Sequence, residues 1–102
     1  MSVPSLPLIL APEANDDLID IQSYTEFTYG EPQWFIYRSR LNDAFSLLSS
    51  HPYIGSTRDE LPAHYRVFPV EQHRIIYFVT EDEDAVNVVR ILHRSRDILR
   101  HI

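Results

Sequence analysis

The side chains equipped for chemistry in this chain gather in its second half: Arg66, His73, Arg74, Arg90, His93, Arg94 and Arg96. Arginine forks bind carboxylates and phosphates through paired hydrogen bonds, and histidine changes its charge close to neutral pH. Together they suit two tasks. One is recognition of an acidic partner, and the other is acid–base work on a phosphate ester, with arginine stabilising the developing charge. The densest run is Arg90 to Asp97, with three arginines and a histidine in eight residues. Burying so many donors without partners costs several kcal/mol, so this run is expected to be exposed or engaged with something acidic.

Each of these residues also has an ordinary structural reading. Charge runs are usually solvated faces. His73 and His93 can be partly buried rings that donate to a backbone carbonyl or pair with an acid such as Asp97. No metal site is expected, because His93 with Asp97 supplies at most two ligands. Cysteine is absent, which excludes disulfides, thiol catalysis and sulfur-ligated metals. No cofactor motif is present.

The net charge of −6, carried without a single lysine, disfavours sequence-specific nucleic-acid binding. The charge is uneven: residues 1–57 hold two arginines against seven acids, and residues 58–102 hold seven against eight. Four of those eight acids sit together at Glu81 to Asp84, so a local basic surface is compatible with the total. The apolar run Leu6 to Leu10 is too short to span a membrane and lacks the preceding basic residues of a signal peptide. A soluble cytoplasmic protein of one domain, residues 1–102, is the expectation.

The elements that must position these residues follow from periodicity. A short strand is expected between Ser5 and Leu10, starting after Pro7 or lying at an edge. A helix begins at Ala11-Pro12, with Ala14, Leu18, Ile21 and Thr25 on one face, and Gly30 closes it. The next helix starts at Glu31-Pro32 and repeats Trp34, Tyr37, Leu41, Ala44, Phe45 and Leu48 at helical spacing; aromatic residues in such a stripe are usually core. After so short a link the two helices are expected to form a hairpin. Pro52 and Gly55 mark a turn, with Gly55 read as supplying backbone freedom.

Three strands follow. His64 to Val70 is the first, and Glu71-Gln72 links it tightly to a second that begins at His73, without the glycine or asparagine that two-residue turns prefer. In that second strand His73, Ile75, Tyr77 and Val79 share one face and Arg74, Ile76 and Phe78 the other, the mark of a central strand covered on both sides. The third continues beyond Ala85. From about Arg94 a tail can form a short helix that packs Ile98, Leu99 and Ile102, or can fray. The predicted class is α+β, in the order β-α-α-β-β-β with a possible final α, and the helix hairpin lies on one face of a small, mainly antiparallel sheet. Only the tail is left for the other face, so apolar surface there is expected to be completed by another chain.

Four stretches in this order, Ala11 to Gln33, Leu41 to Leu61, Tyr65 to Val79 and Val88 to Asp97 (VVRILHRSRD), resemble the RelE/ParE superfamily of bacterial toxins, the ParE branch most closely. The resemblance implies the toxin of a type II toxin–antitoxin pair that inhibits DNA gyrase by binding and is neutralised by a ParD-like antitoxin. Partner-binding candidates on that reading are Arg66, Arg74, Tyr77, Arg90, His93, Arg94 and Arg96. Arg90 and Arg94 are then expected to form a functional edge whose loss leaves stability nearly unchanged.

Two alternatives stay open beside it. The RelE branch cleaves messenger RNA on the ribosome, and if this chain does so Arg66, His73, Arg74 and His93 are the catalytic candidates; the lysines common in such sites are missing. The other alternative is a degenerate, non-toxic member that only binds its antitoxin. ParE-like toxins often carry arginine just after the Pro-x-x-Gly turn, where this chain has Ser56-Thr57 before Arg58.

Overall fold

A computed structural model describes residues 5–102. The elements run β1 (Leu8–Leu10), α1 (Pro12–Tyr29), α2 (Glu31–Ser50), β2 (Tyr65–Val70), β3 (His73–Val79), β4 (Val86–His93) and a 3-10 turn (Ile98–Arg100). The expected order holds, and the final element is a single tight turn. The four strands form one sheet in the order β1-β4-β3-β2. β1 runs parallel to β4, while β2–β3 and β3–β4 are antiparallel hairpins.

Local chemistry sets the element boundaries. Pro12 stands at the start of α1, where its missing N–H costs nothing, and Glu13 occupies the positive end of the helix dipole. Gly30 ends α1 at φ 94°, a conformation that penalises any Cβ, and its amide closes on the Glu26 carbonyl at 2.9 Å. At the β2–β3 turn the missing glycine has a consequence: Glu71 itself is forced to φ 52°. The acidic turn before β4 winds around Thr80, whose hydroxyl accepts the Asp84 and Ala85 amides at 3.0 Å each.

Two cores flank the sheet. On the helix side Ala14, Ile21, Trp34, Leu41 and Leu48 pack against Ile75, Tyr77, Val86, Val88 and Ile91. Val88 and Ile91 are three positions apart, so a regular strand would send them to opposite faces. A β-bulge reconciles them: Tyr77 pairs with Val88 but Ile76 with Arg90, which leaves Val89 as the extra residue.

The far face differs from expectation. Leu61, from the loop before β2, and Ile98, from the tail, cover Val67, Ile76 and Leu92, and Ile76 is wholly buried. This side therefore needs no second chain. Exposed apolar residues lie mostly on the helices, including Ile19, Tyr24, Phe27, Phe35 and Ile36, and Leu99 and Ile102 of the tail, which were expected to pack with Ile98, are exposed as well because the tail makes only a single tight turn. Gly55 also has a different role from the one expected. Its φ is not positive, and what requires glycine is the Tyr77 hydroxyl, whose oxygen would lie 2.6 Å from an added Cβ.

Candidate functional site

The open side of β4 determines where a site can form. β1 pairs only with Val86–Val88, so the rest of β4 has no strand beyond it. Asp17 of α1 takes the place of that strand. Its carboxylate accepts two hydrogen bonds from the Arg90 guanidinium, both 2.8 Å, and a third from the Ile91 amide at 2.9 Å. Arg90 also donates to the His101 carbonyl at 2.8 Å, which ties down the tail. The Asp17 hydrogen bond outweighs burial and pushes the guanidinium further toward its charged form. Arg90 is thus an internal strut rather than the free cation expected from sequence.

Next to this strut lies a cleft of about 510 Å³, and beside it a second of about 440 Å³. Tyr24, His73 and His93 line both, so they make one trough between the helix hairpin and the end of the β3–β4 hairpin. His73 and His93 are cross-strand partners whose rings meet edge to face with centroids 5.4 Å apart. A hydrogen bond joins His73 Nδ1 to the Tyr37 hydroxyl. Burial, helped by the neighbouring His93 and opposed by Asp17, pushes the His73 imidazole down to about 4. The ring is neutral at physiological pH and is a weak base. Burial also raises the Tyr37 hydroxyl, so it keeps its proton.

His93 is exposed and its Nδ1 accepts the Ser95 amide at 3.1 Å. The pairing with Asp97 expected for these histidines does not occur. Asp97 instead accepts from the Leu99 amide at 3.1 Å, because the chain turns here and does not continue as a helix.

The remaining candidates scatter. Arg66 donates to the Tyr53 and Gly55 carbonyls at 3.0 and 2.8 Å and lies over the Tyr53 ring. Arg74 is on the opposite face of β3 from His73 and donates to the Arg96 carbonyl. Tyr77 is wholly buried and its hydroxyl accepts the Gly55 amide at 2.8 Å, so it offers no surface to a partner. Arg94 and Arg96 are exposed, and Arg96 lines the larger cleft. Of the four nuclease candidates, only His73 and His93 are brought together. Among the described residues no group of three or more His, Cys, Asp or Glu side chains is placed to hold a metal, and no helix is long and apolar enough to cross a membrane.

Sequence reasoning missed Asp17, Tyr24 and Tyr37 as site residues. Asp17 sits in an acidic first half of a helix, where the dipole already explains it. Tyr37 falls on the core stripe of α2. Neither residue carries a local signal for a partner, since Asp17 and Arg90 are 73 positions apart.

Comparisons with known proteins agree with this architecture. Residues 8–98 match the family described as ParE toxin of type II toxin–antitoxin system, parDE. Toxin ParE1 of Mycobacterium tuberculosis (strain CDC 1551 / Oshkosh) is 32% identical over 94 residues, covering 92% of this chain and 95% of that protein. Toxin ParE1 of Caulobacter vibrioides is 30% identical over 96 residues, covering 94% and 97%.

Among solved structures, a chain of the chromosomal ParDE system from P. aeruginosa superposes with a TM-score of 0.73 at 15% identity, covering 87% of this chain and 96% of that one. A chain of the toxin–antitoxin complex RelBE2 from Mycobacterium tuberculosis gives 0.65 at 23% identity, covering 88% and 99%. At those identities the two structures speak to the fold alone. The family match over residues 8–98, with two named toxins aligned over almost their whole length, establishes that this chain belongs to the ParE toxin family of type II toxin–antitoxin systems.

Proposed function

We propose that this toxin acts by binding rather than by breaking bonds, that its target is DNA gyrase, and that a ParD-like antitoxin from the same operon holds it inactive. The family supports the antitoxin, since its description is that of the toxin of a type II toxin–antitoxin system, parDE. One observation favours binding over catalysis: of the four nuclease candidates only His73 and His93 come together, and neither Arg66 nor Arg74 joins them. Cleavage of RNA through its 2′-hydroxyl needs a base, an acid and a cation around one phosphate. Here His73 is a weak base tied to Tyr37, while Arg66 and Arg74 donate to backbone carbonyls away from it. That reading locates the action in the cytoplasm, with the exposed Arg94 and Arg96 left to contact acidic groups.

The test is a supercoiling assay with purified gyrase, run beside labelled thymidine and labelled methionine incorporation within minutes of inducing the chain. Loss of supercoiling with broken DNA, and arrest of thymidine incorporation first, is the expected result. Prompt arrest of methionine incorporation with cut messenger RNA would overturn it and make His73 and His93 catalytic. No effect on either would leave a chain that only binds its antitoxin.

A further inference from the structure

Leu61 and Ile98 close the far-face core over Val67, Ile76 and Leu92, and their cover ends there. The next row crosses all four strands: Ile9 of β1 pairs with Asn87 of β4, Asn87 with Phe78 of β3, and Phe78 with Tyr65 of β2. Alternation sends Ile9, Asn87 and Phe78 to the far face, because their neighbours Leu8, Leu10, Val86, Val88 and Tyr77 belong to the helix-side core. Tyr65 stacks on Phe78 with ring centroids 5.6 Å apart, and the exposed His64 stands edge-on to both rings. Ile9 is 50% exposed, and Phe78 belongs to neither core.

Folding leaves two further groups at this row unanswered. The Asn87 amide nitrogen is shut off from water and has no hydrogen-bond partner, a state that costs about 1–3 kcal/mol. Just beyond the row, three residues after Phe78 and three before Asn87, the turn Glu81 to Asp84 gathers four exposed carboxylates. Glu83 accepts from the Tyr53 hydroxyl and Asp84 from Thr80, but none of the four forms an ion pair among the described residues. An open aromatic stack, a donor without an acceptor and carboxylates without cations therefore share one end of one face. At the usual spacing of strands the row is about 14 Å wide.

We propose that the toxin grips gyrase through this row, and that the occupant is a short basic segment of the gyrase protein. An arginine of that segment stacks on the Tyr65–Phe78 pair, a second cation meets Glu81 and Asp82, and a backbone carbonyl answers Asn87. This rests on the gyrase reading above. Guanidinium suits the place because its flat face stacks on aromatic rings while its edge pairs with carboxylates. Asn87 is partly exposed, so a turn of its amide presents the nitrogen to a carbonyl laid over the row. The width matches about four residues of extended chain. Charge selects a protein segment, since the phosphates of DNA are repelled by the acidic turn. The acids govern the rate of encounter, and the aromatic stack governs how long the partner stays.

The test measures binding of purified gyrase to the immobilised full chain by interferometry, at low and at high salt. Unmodified chain should bind more weakly as salt rises. The surface variant Glu81→Gln, Asp82→Asn should lose about tenfold in affinity at low salt and most of the salt dependence. Phe78→Ala, with its fold checked by circular dichroism, should lose about tenfold at either salt and keep the slope. Both variants binding gyrase like the unmodified chain would overturn the row and leave the gyrase reading intact. Gyrase that fails to bind the unmodified chain would overturn both. Loss of antitoxin affinity with gyrase affinity kept would give the row to the antitoxin, and a dimer of the isolated chain that the acid variant dissolves would give it to a second copy; either result overturns the proposal.

Discussion

Asp17 and Arg90 clasp α1 to β4 through two hydrogen bonds of 2.8 Å, with only 12% and 22% of their side chains exposed. The same carboxylate takes the edge amide of Ile91, so one residue does the work of a missing strand and of a counter-ion. Removing either partner leaves a charge with little water to replace it. Arg90→Ala and Asp17→Asn should each cost about 2 kcal/mol, roughly 10 °C of melting temperature for a domain of this size. Thermal unfolding followed by circular dichroism decides this. An unchanged melt for Arg90→Ala would return the residue to the surface role read from its sequence.

His73 predicts a pH dependence of stability. Its ring titrates at about 4 in the folded chain against an ordinary value of 6.5. Above pH 6.5 both states hold the neutral ring. Between 6.5 and about 4 the unfolded chain binds a proton that the folded chain refuses, so stability falls as the pH falls through this window and then levels off. Allowing for the ring's partial exposure, the loss should be about 1–2 kcal/mol. Urea midpoints at a series of pH values measure it. His73→Gln should flatten the slope across the window whatever it does to stability at pH 7.

The Gly55–Tyr77 approach makes a steric prediction. An added Cβ would lie 2.6 Å from the Tyr77 oxygen and 2.8 Å from a ring carbon, within a buried side chain that has nowhere to move. Gly55→Ala should cost about 2 kcal/mol by overpacking. Tyr77→Phe should cost about 1 kcal/mol by leaving the Gly55 amide without its acceptor. The double variant should be less destabilised than the sum, because the oxygen that clashes is gone. Strict additivity in a denaturation cycle would show that the contact is not the cause.

Glu71 is held at φ 52°, a left-handed conformation that Asn adopts at less cost than Glu. Its exposed ion pair with Arg40, at 2.9 Å, contributes little in return. Glu71→Asn should therefore raise stability by roughly 0.5 kcal/mol, read as a higher urea midpoint with an unchanged slope.

The helices and the central strand were legible because burial repeats in them. Ala14, Ile21 and Thr25 on α1, and Trp34, Leu41, Ala44 and Leu48 on α2, are buried at the spacing read from sequence. In β3 the split between Ile75 with Tyr77 and Ile76 also matches the two cores. On the far face Ile98 packs as the tail was expected to, and the unforeseen part of the cover is Leu61, which lies in a loop and carries no period that marks it as core.

Sequence alone determined the class, the element order and the family, because these depend on local propensity and on apolar spacing along neighbouring turns and strands. Tertiary structure decided which charged residues are free. Arg90 and Arg94 look alike in the run VVRILHRSRD, yet a bulge at Val89 and an aspartate on α1 make the first a half-buried strut, while the second stays in solvent. The availability of a charge depends on the partner that chain folding brings within about 3 Å. Asp17 lies 73 residues from Arg90, and no spacing within either segment encodes that encounter.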